Sequence, residues 1–194
     1  MKDATGTTGF RLELDGGSLT VGDVVKIARG VGGTGCALSP VSVGKIEVSN
    51  RLKHELIQKR LPIYGVTTGF GDSANRQISP DRAAKLQRNM IHFLGNGAGR
   101  LSPPEVTRAT ILLRANCLAK GNSGVRLELA ERMLYYLNHD ILPPIPELGS
   151  CGASGDLVPL SYLGAALMGE GEVLHEGAMR NVEEILGQST ASSR

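Results

Sequence analysis

Two serine-proline pairs constrain this chain more than any other feature, because each marks the start of a helix. Proline is favoured in the first turn of a helix, where its missing amide hydrogen is not needed. After Ser79-Pro80, apolar residues follow at helical spacing, at Ala83, Leu86, Met90 and Phe93. Ser102-Pro103 opens a second helix, which is predicted to run to about Lys120. The chain is therefore predicted to be mainly α-helical.

Capping and periodicity predict further helices on both sides of this pair. Thr20 can cap a short helix that ends at Arg29, and a longer helix is predicted from Val41 to Lys59, before Pro62. A helix from about Ser123 to Asn138 carries four apolar residues on one stripe: Leu127, Ala130, Leu134 and Leu137. Shorter helices are predicted at 155–168 and 182–186.

Strands and loops are predicted for the remaining segments. Phe10 to Leu14 alternates like a short strand, and Glu172 to Gly177 has the pattern of a small strand and turn. Loops are predicted at 1–9, at the glycine-rich segment 30–35 and after the proline block 143–146. The chain is thus divided into an N-terminal segment with a short strand (1–18), a main domain (19–188) and a disordered tail (189–194).

The charge and cysteine content limit the partners and the compartment. The 21 basic and 19 acidic residues are mixed along the 194-residue chain and give a net charge of +2, so neither a nucleic-acid partner nor a membrane surface is predicted. The three cysteines are odd in number and lack CxxC spacing, and the N-terminus has no apolar signal region or membrane span. These features predict a reducing, cytoplasmic setting.

The segment from Gly149 to Leu160 contains a tripeptide, Ala153-Ser154-Gly155, that can form a ring. Small residues surround the serine, so the backbone can bend sharply and the Gly155 nitrogen can approach the Ala153 carbonyl carbon. If two waters leave, one of them from the Ser154 side chain, the product is a five-membered imidazolone with an electrophilic methylidene carbon. For a bare tripeptide the alternative is a plain helix start, with Ser154 as the cap before Asp156.

The whole segment resembles the signature of the histidine, phenylalanine and tyrosine ammonia-lyase family, in which Ala-Ser-Gly forms 4-methylidene-imidazol-5-one (MIO). Tyr64 to Gly71 resembles the other active-site loop of that family. Further similar motifs lie at 86–89, 114–116 and 121–126, so the resemblance covers roughly Leu19 to Gly177, and its motifs are most similar to those of phenylalanine ammonia-lyases. It implies the N-terminal, MIO-containing portion of the ammonia-lyase fold, with helices, short strands and glycine-rich active-site loops.

The resemblance also implies how ammonia would be eliminated from an α-amino acid. Ser154 would supply the methylidene carbon to which the substrate amine adds, and Tyr64 would be the base that removes the β-proton. A tyrosine hydroxyl ordinarily loses its proton only near pH ~10, so such a base needs hydrogen bonds or positive potential around it. Without the resemblance, Tyr64 would be interpreted as a packed tyrosine with a hydrogen-bonded hydroxyl.

Phe93 and Leu94 match the pair of residues that sets aromatic selectivity in the family, and both are apolar. Tyrosine-specific relatives carry a histidine at the first position, so the resemblance favours phenylalanine, because a buried phenol hydroxyl would lack a partner here. The same two residues also fit an ordinary core stripe of their helix. Gly71 and Leu157 are implied to line the substrate or MIO environment.

Other reactive side chains give no comparable signal. His54, His139 and His175 stand far apart with few acidic companions, so no metal site is predicted. Cys151 is interpreted as a small buried filler, and His92 has no evident role.

Members of the family are much longer than this chain, and the helical bundle that forms their C-terminal part lies outside it. An expressed fragment, one subunit of a split enzyme and a decayed copy would each explain this, although the orderly motifs argue against decay. We expect a carbon-nitrogen lyase that converts phenylalanine to trans-cinnamate and ammonia, with a second chain supplying the C-terminal half in a tetramer-like assembly. The alternatives are an aromatic 2,3-aminomutase that makes a β-amino acid, and a noncatalytic assembly subunit that never forms the ring.

Overall fold

The computed structural model describes residues 11–30 and 35–191, which form seven α-helices and three two-stranded sheets. The helices are α1 (Val21–Ala28), α2 (Pro40–Gln58), α3 (Pro80–Leu94), α4 (Pro104–Ala119), α5 (Leu127–Asn138), α6 (Leu157–Leu167) and α7 (Val182–Ala191). The strands are β1 (Arg11–Leu14), β2 (Gly35–Leu38), β3 (Ala98–Leu101), β4 (Pro146–Leu148), β5 (Glu172–His175) and β6 (Ala178–Asn181). The mainly α architecture is confirmed. Within the described residues, no helix is long and apolar enough to cross a membrane.

The predicted starts of α1 and α2 carry side-chain caps. The Thr20 hydroxyl accepts a hydrogen bond from the backbone of Asp23, and the Asp23 carboxylate accepts one from Thr20, so α1 begins with a complete capping box. The Ser39 hydroxyl caps α2 by accepting a hydrogen bond from the Ser42 N–H, and proline occupies the first turn of α2, α3 and α4.

The core is built around α4, which packs between α1 and α5. Ile111, Leu112 and Ala115 on α4 are fully buried. The predicted stripe on α5 is confirmed, because Ala130, Leu134 and Leu137 are buried and Leu127 packs against the core. The fully buried Tyr136 donates its hydroxyl to the Ala166 carbonyl at 2.7 Å, which ties α5 to α6.

The glycine-rich segment 30–35 is not a loop throughout, because Gly35 is the first residue of β2. β2 pairs in parallel with β1, and Leu12 faces Cys36 in the register. The Asn138 side chain binds the backbone of Cys36 through two hydrogen bonds. Its amide oxygen accepts from the Cys36 N–H at 2.8 Å, and its amide nitrogen donates to the Cys36 carbonyl at 2.9 Å. This long-range pairing has no local signal in the sequence.

Three other strands, β3, β4 and β6, are not predicted by the sequence, for the same reason. The loop predicted after the proline block is wrong in part, because Pro146–Leu148 forms β4 and pairs antiparallel with β3. The predicted strand at 172–175 is confirmed, and it is completed by the exposed β6 in an antiparallel hairpin. Each pairing is decided by a partner strand that periodicity alone does not identify.

Two helix boundaries also differ from the prediction. α5 begins at Leu127 and not at Ser123, because Gly124 has a φ of +62° and its backbone is hydrogen-bonded to Ser49 and Asn50 on α2. α7 continues to Ala191, so the predicted disordered tail is helical at 189–191, where each added residue extends an existing helix. The predictions for 1–10, 31–34 and 192–194 lie outside the described residues.

Asn138→Ala should destabilise the protein by about 2 kcal/mol, because it leaves both the amide hydrogen and the carbonyl of Cys36 without their partner. Urea unfolding followed by circular dichroism measures this loss. Asn116→Ala is the matched control, since among the residues that the structure describes the Asn116 side chain accepts one backbone hydrogen bond, from Gly16. An equal loss in the two variants would contradict the bridging role of Asn138.

Tyr136→Phe should make the protein less sensitive to alkaline pH. Burial raises the pKa of Tyr136 to about 12, so the unfolded chain ionises first. The stabilisation is complete below pH ~10, where the unfolded tyrosine is neutral, and is lost as the pH rises towards 12. Urea unfolding at neutral pH and within this window should show a smaller loss of unfolding free energy in the variant. Parallel losses in both proteins would contradict this prediction.

Candidate functional site

The segment from Gly149 to Asp156 connects β4 to α6 and lies on the surface of the chain. It begins at a tight crossing, where a Cβ on Gly149 would lie 2.5 Å from Val158 Cγ1 and 3.3 Å from the Gly97 Cα. Only glycine permits this approach. Gly97 also donates its N–H to the Tyr162 hydroxyl at 3.0 Å, so the start of the segment is fixed against both α6 and the connection that follows α3.

The tripeptide Ala153-Ser154-Gly155 lies in a bend that folds back on itself. Gly155 has a φ of +73°, a left-handed conformation that a residue with a Cβ rarely adopts. The Ser150 hydroxyl donates a hydrogen bond to the Gly155 carbonyl and closes the bend. The tripeptide is thus held in a compact turn, although Ala153 and Ser154 are exposed.

Ser154 does not cap α6. The residue before the helix is Asp156, and the Ser154 hydroxyl donates to its carboxylate at 2.8 Å (Oγ to Oδ1). The second carboxylate oxygen of Asp156 accepts a hydrogen bond from Arg114 Nη2, also at 2.8 Å. Because Arg114 projects from the buried helix α4, this chain of contacts connects the serine to the rigid core.

Tyr64 lies in a loop whose shape is set by two buried threonines. Thr67 accepts a hydrogen bond from the Ile63 N–H at 2.8 Å, and Thr68 accepts one from the Gly65 N–H at 3.2 Å. Tyr64 itself is 65% exposed, so it is not a packed core tyrosine. Its hydroxyl oxygen accepts a hydrogen bond from the Gly71 N–H at 3.1 Å.

The ring of Tyr64 meets the edge of Phe70, with the centroids 6.2 Å apart and the planes at 86°. This edge-to-face contact and the Gly71 hydrogen bond hold the two ends of the loop together. Tyr64 and Gly71, which the sequence assigned to one site, are therefore in direct contact.

Phe93 and Leu94 end α3, and neither belongs to the core. Phe93 is 77% exposed and Leu94 is half-buried, so the core interpretation of Phe93 is not supported in this chain. Leu157, the first residue of α6, is also exposed. Three of the four apolar or small residues assigned to substrate binding thus lie at helix ends.

Helix α3 lies between the two loops. Its Gln87 side chain donates to the Gly65 carbonyl at 3.4 Å, and its Ile91 side chain packs over Gly164 on α6. The sequence-predicted residues are therefore connected through α3 and α6. Among the described residues, Tyr64 and Ser154 form no hydrogen bond with each other.

Several residues that position the site were not identified as site residues from the sequence. Asp156 and Ser150 lie within five residues of the tripeptide, and their polar side chains so close to it in the sequence were the available signal. Arg114 was noted only as part of a motif, because its contact spans 42 residues. Cys151 was interpreted as a buried filler and is exposed, since the loop stands away from the core. Within residues 11–30 and 35–191 no group of metal-ligating side chains is found.

Comparison with known proteins identifies relatives over almost the whole chain. The model of the family described as aromatic amino acid lyase matches residues 19–192. A histidine ammonia-lyase of Bacillus velezensis is 44% identical over 176 residues, which are 91% of this chain and 34% of that protein. A histidine ammonia-lyase of Streptococcus pyogenes serotype M3 is 38% identical over 178 residues, which are 92% of this chain and 34% of that protein.

Solved structures agree with these relatives. The tyrosine aminomutase of Streptomyces globisporus superimposes with a TM-score of 0.83 at 34% identity, over 93% of this chain and 33% of that one. The chain thus spans about a third of the length of the curated relatives it matches. Because the family model, the sequence identities and the fold all agree, the chain belongs to the aromatic amino acid lyase family.

Proposed function

We propose that this chain is the MIO-bearing part of an aromatic amino acid ammonia-lyase that converts phenylalanine to trans-cinnamate and ammonia. The observation that carries the proposal is the Ser154 hydroxyl, held on the Asp156 carboxylate inside a closed bend. The residues assigned to the reaction are Ala153, Ser154 and Gly155 for the prosthetic group and Tyr64 for the base, with Gly71, Phe93, Leu94 and Leu157 around the substrate.

The residues present fit the formation of the ring. The Gly155 nitrogen would bond to the Ala153 carbonyl carbon, and the first water would leave with the carbonyl oxygen and the two amide protons of Ser154 and Gly155. The second water would take the Ser154 hydroxyl and the proton on its Cα, leaving a carbon-carbon double bond. The left-handed Gly155 and the Ser150 hydrogen bond support a backbone already bent for this closure.

Asp156 is the acid-base group nearest to the second dehydration. Its Oδ1 accepts a hydrogen bond from the Ser154 hydroxyl, so the hydroxyl is oriented before it would leave. Arg114 Nη2 donates a hydrogen bond to Oδ2 and holds the carboxylate in this orientation. Because both partners are partly exposed, the ion pair contributes little to stability, and its importance lies in geometry.

The MIO group supplies an electrophilic carbon for the substrate amine, and the chain's other residues handle the β-proton and the ring. The Gly71 N–H donates a hydrogen bond to the Tyr64 oxygen and so orients the hydroxyl. Tyr64 is accessible to a substrate because most of its surface is exposed. These two features support its assignment as the base.

Phenylalanine is proposed as the substrate because Phe93 and Leu94 offer no hydrogen-bond partner to a polar ring. The curated relatives described above act on histidine by name, and the similar solved structure is a tyrosine aminomutase. An imidazole or a phenol would have to leave a polar group unpaired against these two side chains. That cost favours an unsubstituted aromatic ring.

A second polypeptide is proposed to complete the site, in a tetramer-like assembly. Ala153, Ser154, Tyr64 and Phe93 are all exposed in this chain, whereas an electrophile and a base must be shielded from water to act efficiently. Helix α2 also exposes an apolar stripe formed by Val41, Val48 and Leu52. The matched relatives are about three times as long, which leaves ample sequence for such a cover.

A 2,3-aminomutase is the second candidate, and the likeness to a tyrosine aminomutase structure favours it. It would use the same prosthetic group and base but return ammonia to the β-carbon. Product analysis separates the two, because a lyase accumulates trans-cinnamate whereas a mutase accumulates a β-amino acid. A noncatalytic subunit would form no ring at all.

The mass of the assembled chain tests ring formation. Cyclisation with loss of two waters should lower the intact mass by about 36 Da and map to a peptide that contains Ser154. Ser154→Ala should abolish the mass loss, and Asp156→Asn should reduce the modified fraction several-fold because the hydroxyl loses its oriented partner. Asp72→Asn, an exposed carboxylate in the other loop, is the matched control. An unmodified tripeptide in assembled material would refute the proposed function.

Phe93→His should move the selectivity of the completed enzyme from phenylalanine towards tyrosine. The ratio of kcat/KM values for the two substrates should shift by about 10-fold to 100-fold, since an imidazole can pair with the phenol. The chain alone should be inactive. Leu113→His, an exposed apolar position on α4, is the control. Unchanged selectivity would contradict the assignment of Phe93 to ring binding. Turnover of phenylalanine by the chain without a partner would contradict the need for a second polypeptide.

A further inference from the structure

Three polar side chains outside the assigned site, those of Arg88, His92 and Glu170, connect α3 to the turn after α6. Arg88 Nη2 lies 2.5 Å from Glu170 Oε1, and His92 Nε2 lies 2.6 Å from Glu170 Oε2. Arg88 and His92 are four residues apart and therefore lie on one face of α3. Each partner binds a different oxygen of Glu170. The carboxylate therefore constrains the rotation of α3 about its own axis and also the distance between α3 and the turn after α6.

The contacts of Glu170 with Arg88 and His92, called the clamp from here on, join α3 to the turn after α6 without help from a buried α3 side chain. None of the α3 residues whose side chains the structure describes is fully buried. Besides these contacts of Glu170, α3 packs along α6, where Ile91 lies over Gly164, and its Gln87 donates a 3.4 Å hydrogen bond to the Gly65 carbonyl. A helix without a buried anchor depends on such directional contacts for its orientation.

Glu170 is itself fixed to the end of α6. Its N–H donates to the Ala165 carbonyl at 2.9 Å, and the adjacent Gly169 N–H donates to the Ala166 carbonyl at 3.0 Å. The following Gly171 carbonyl accepts from the Val182 N–H at 3.1 Å, which anchors the turn to α7. The clamp therefore fixes α3 relative to α6, and the tripeptide segment runs directly into the other end of α6.

Glu170 is the acidic member of this cluster. The hydrogen bond from His92, together with the nearby charge of Arg88, lowers the pKa of Glu170. Glu170 is therefore an anion at neutral pH, where it can hold both partners. His92, which directly precedes Phe93, thus has a defined contact in the structure.

We infer that Glu170 is a positioning residue for the aromatic ring of the substrate. It acts through Arg88 and His92, which set the orientation of α3 and so the placement of Phe93 and Leu94 relative to the tripeptide at the start of α6. This role rests on the proposed function, because it needs Phe93 and Leu94 to contact the ring. Glu170 itself does not touch the reacting atoms.

Glu170→Gln tests the inference in the completed enzyme, since it keeps the size of the side chain and removes its charge. KM for phenylalanine should rise about tenfold, because misplacement by a fraction of an ångström weakens ring contacts, while kcat should change less than about threefold. A merely structural defect would instead reduce the active fraction and lower the apparent kcat with KM unchanged. Glu176→Gln is the matched control, since Glu176 pairs with Arg180 in the β5–β6 hairpin.

Hydrogen exchange provides a second measurement that needs no activity. In the 194-residue chain, amides of α3 should exchange about tenfold faster in Glu170→Gln than in the parent or in Glu176→Gln, with α4 and α5 unchanged. Unchanged exchange in α3 would overturn the clamp. Faster exchange with an unchanged KM in the active assembly would overturn the positioning role alone.

The mass measurement separates this inference from the proposed function. Glu170→Gln should keep the full loss of about 36 Da, because the clamp contacts none of the residues that form the ring. If the parent assembly shows neither the mass loss nor turnover, the proposed function fails and the ring-positioning role fails with it. If Glu170→Gln alone loses the mass change, the residue acts on ring formation and the inference is wrong.

Discussion

The burial of α4 between α1 and α5 is the interaction on which the rest of the structure depends. Ile111, Leu112 and Ala115 are excluded from water, and the dispersion and hydrophobic gains of this packing hold the helix in one place. Arg114 projects from this helix to Asp156, and Tyr136 on α5 binds the backbone of α6. A rigid apolar core thus sets the position of a serine that is itself exposed.

Polar contacts, and not burial, hold the candidate site together. Ser154, Asp156 and Arg114 form one chain of hydrogen bonds, and Tyr64 is oriented by Gly71. Such contacts contribute little to stability at a surface, but they have direction, and direction is what a reaction needs. The exposed Phe93 and the exposed α2 stripe fit a chain whose site is covered by further polypeptide.

The sequence predicted the elements whose signals are local. The Thr20 cap, the serine-proline starts and the α5 stripe could be found because cap and periodicity lie within one helix. The tripeptide and the Tyr64 loop could be found because their residues are contiguous. β2, β4 and β6 could not, since each depends on a partner or a bridging side chain elsewhere, as Cys36 depends on Asn138 across 102 residues.

The sequence by itself determined the helical class, the family motifs and the reactive tripeptide, because each is written in consecutive or regularly spaced residues. Only the tertiary structure decided that Ser154 bonds Asp156 and does not cap a helix, that Phe93 stays out of the core, and that Glu170 reaches Arg88 and His92. Those outcomes depend on how α3, α4 and α6 pack. The contacts of Arg114 with Asp156 and of Glu170 with Arg88 and His92 join residues that are 42 to 82 positions apart, so no local pattern encodes them. Ser154 and Asp156 are neighbours in the sequence, and there the start of α6 at Leu157 decides that the serine binds the carboxylate.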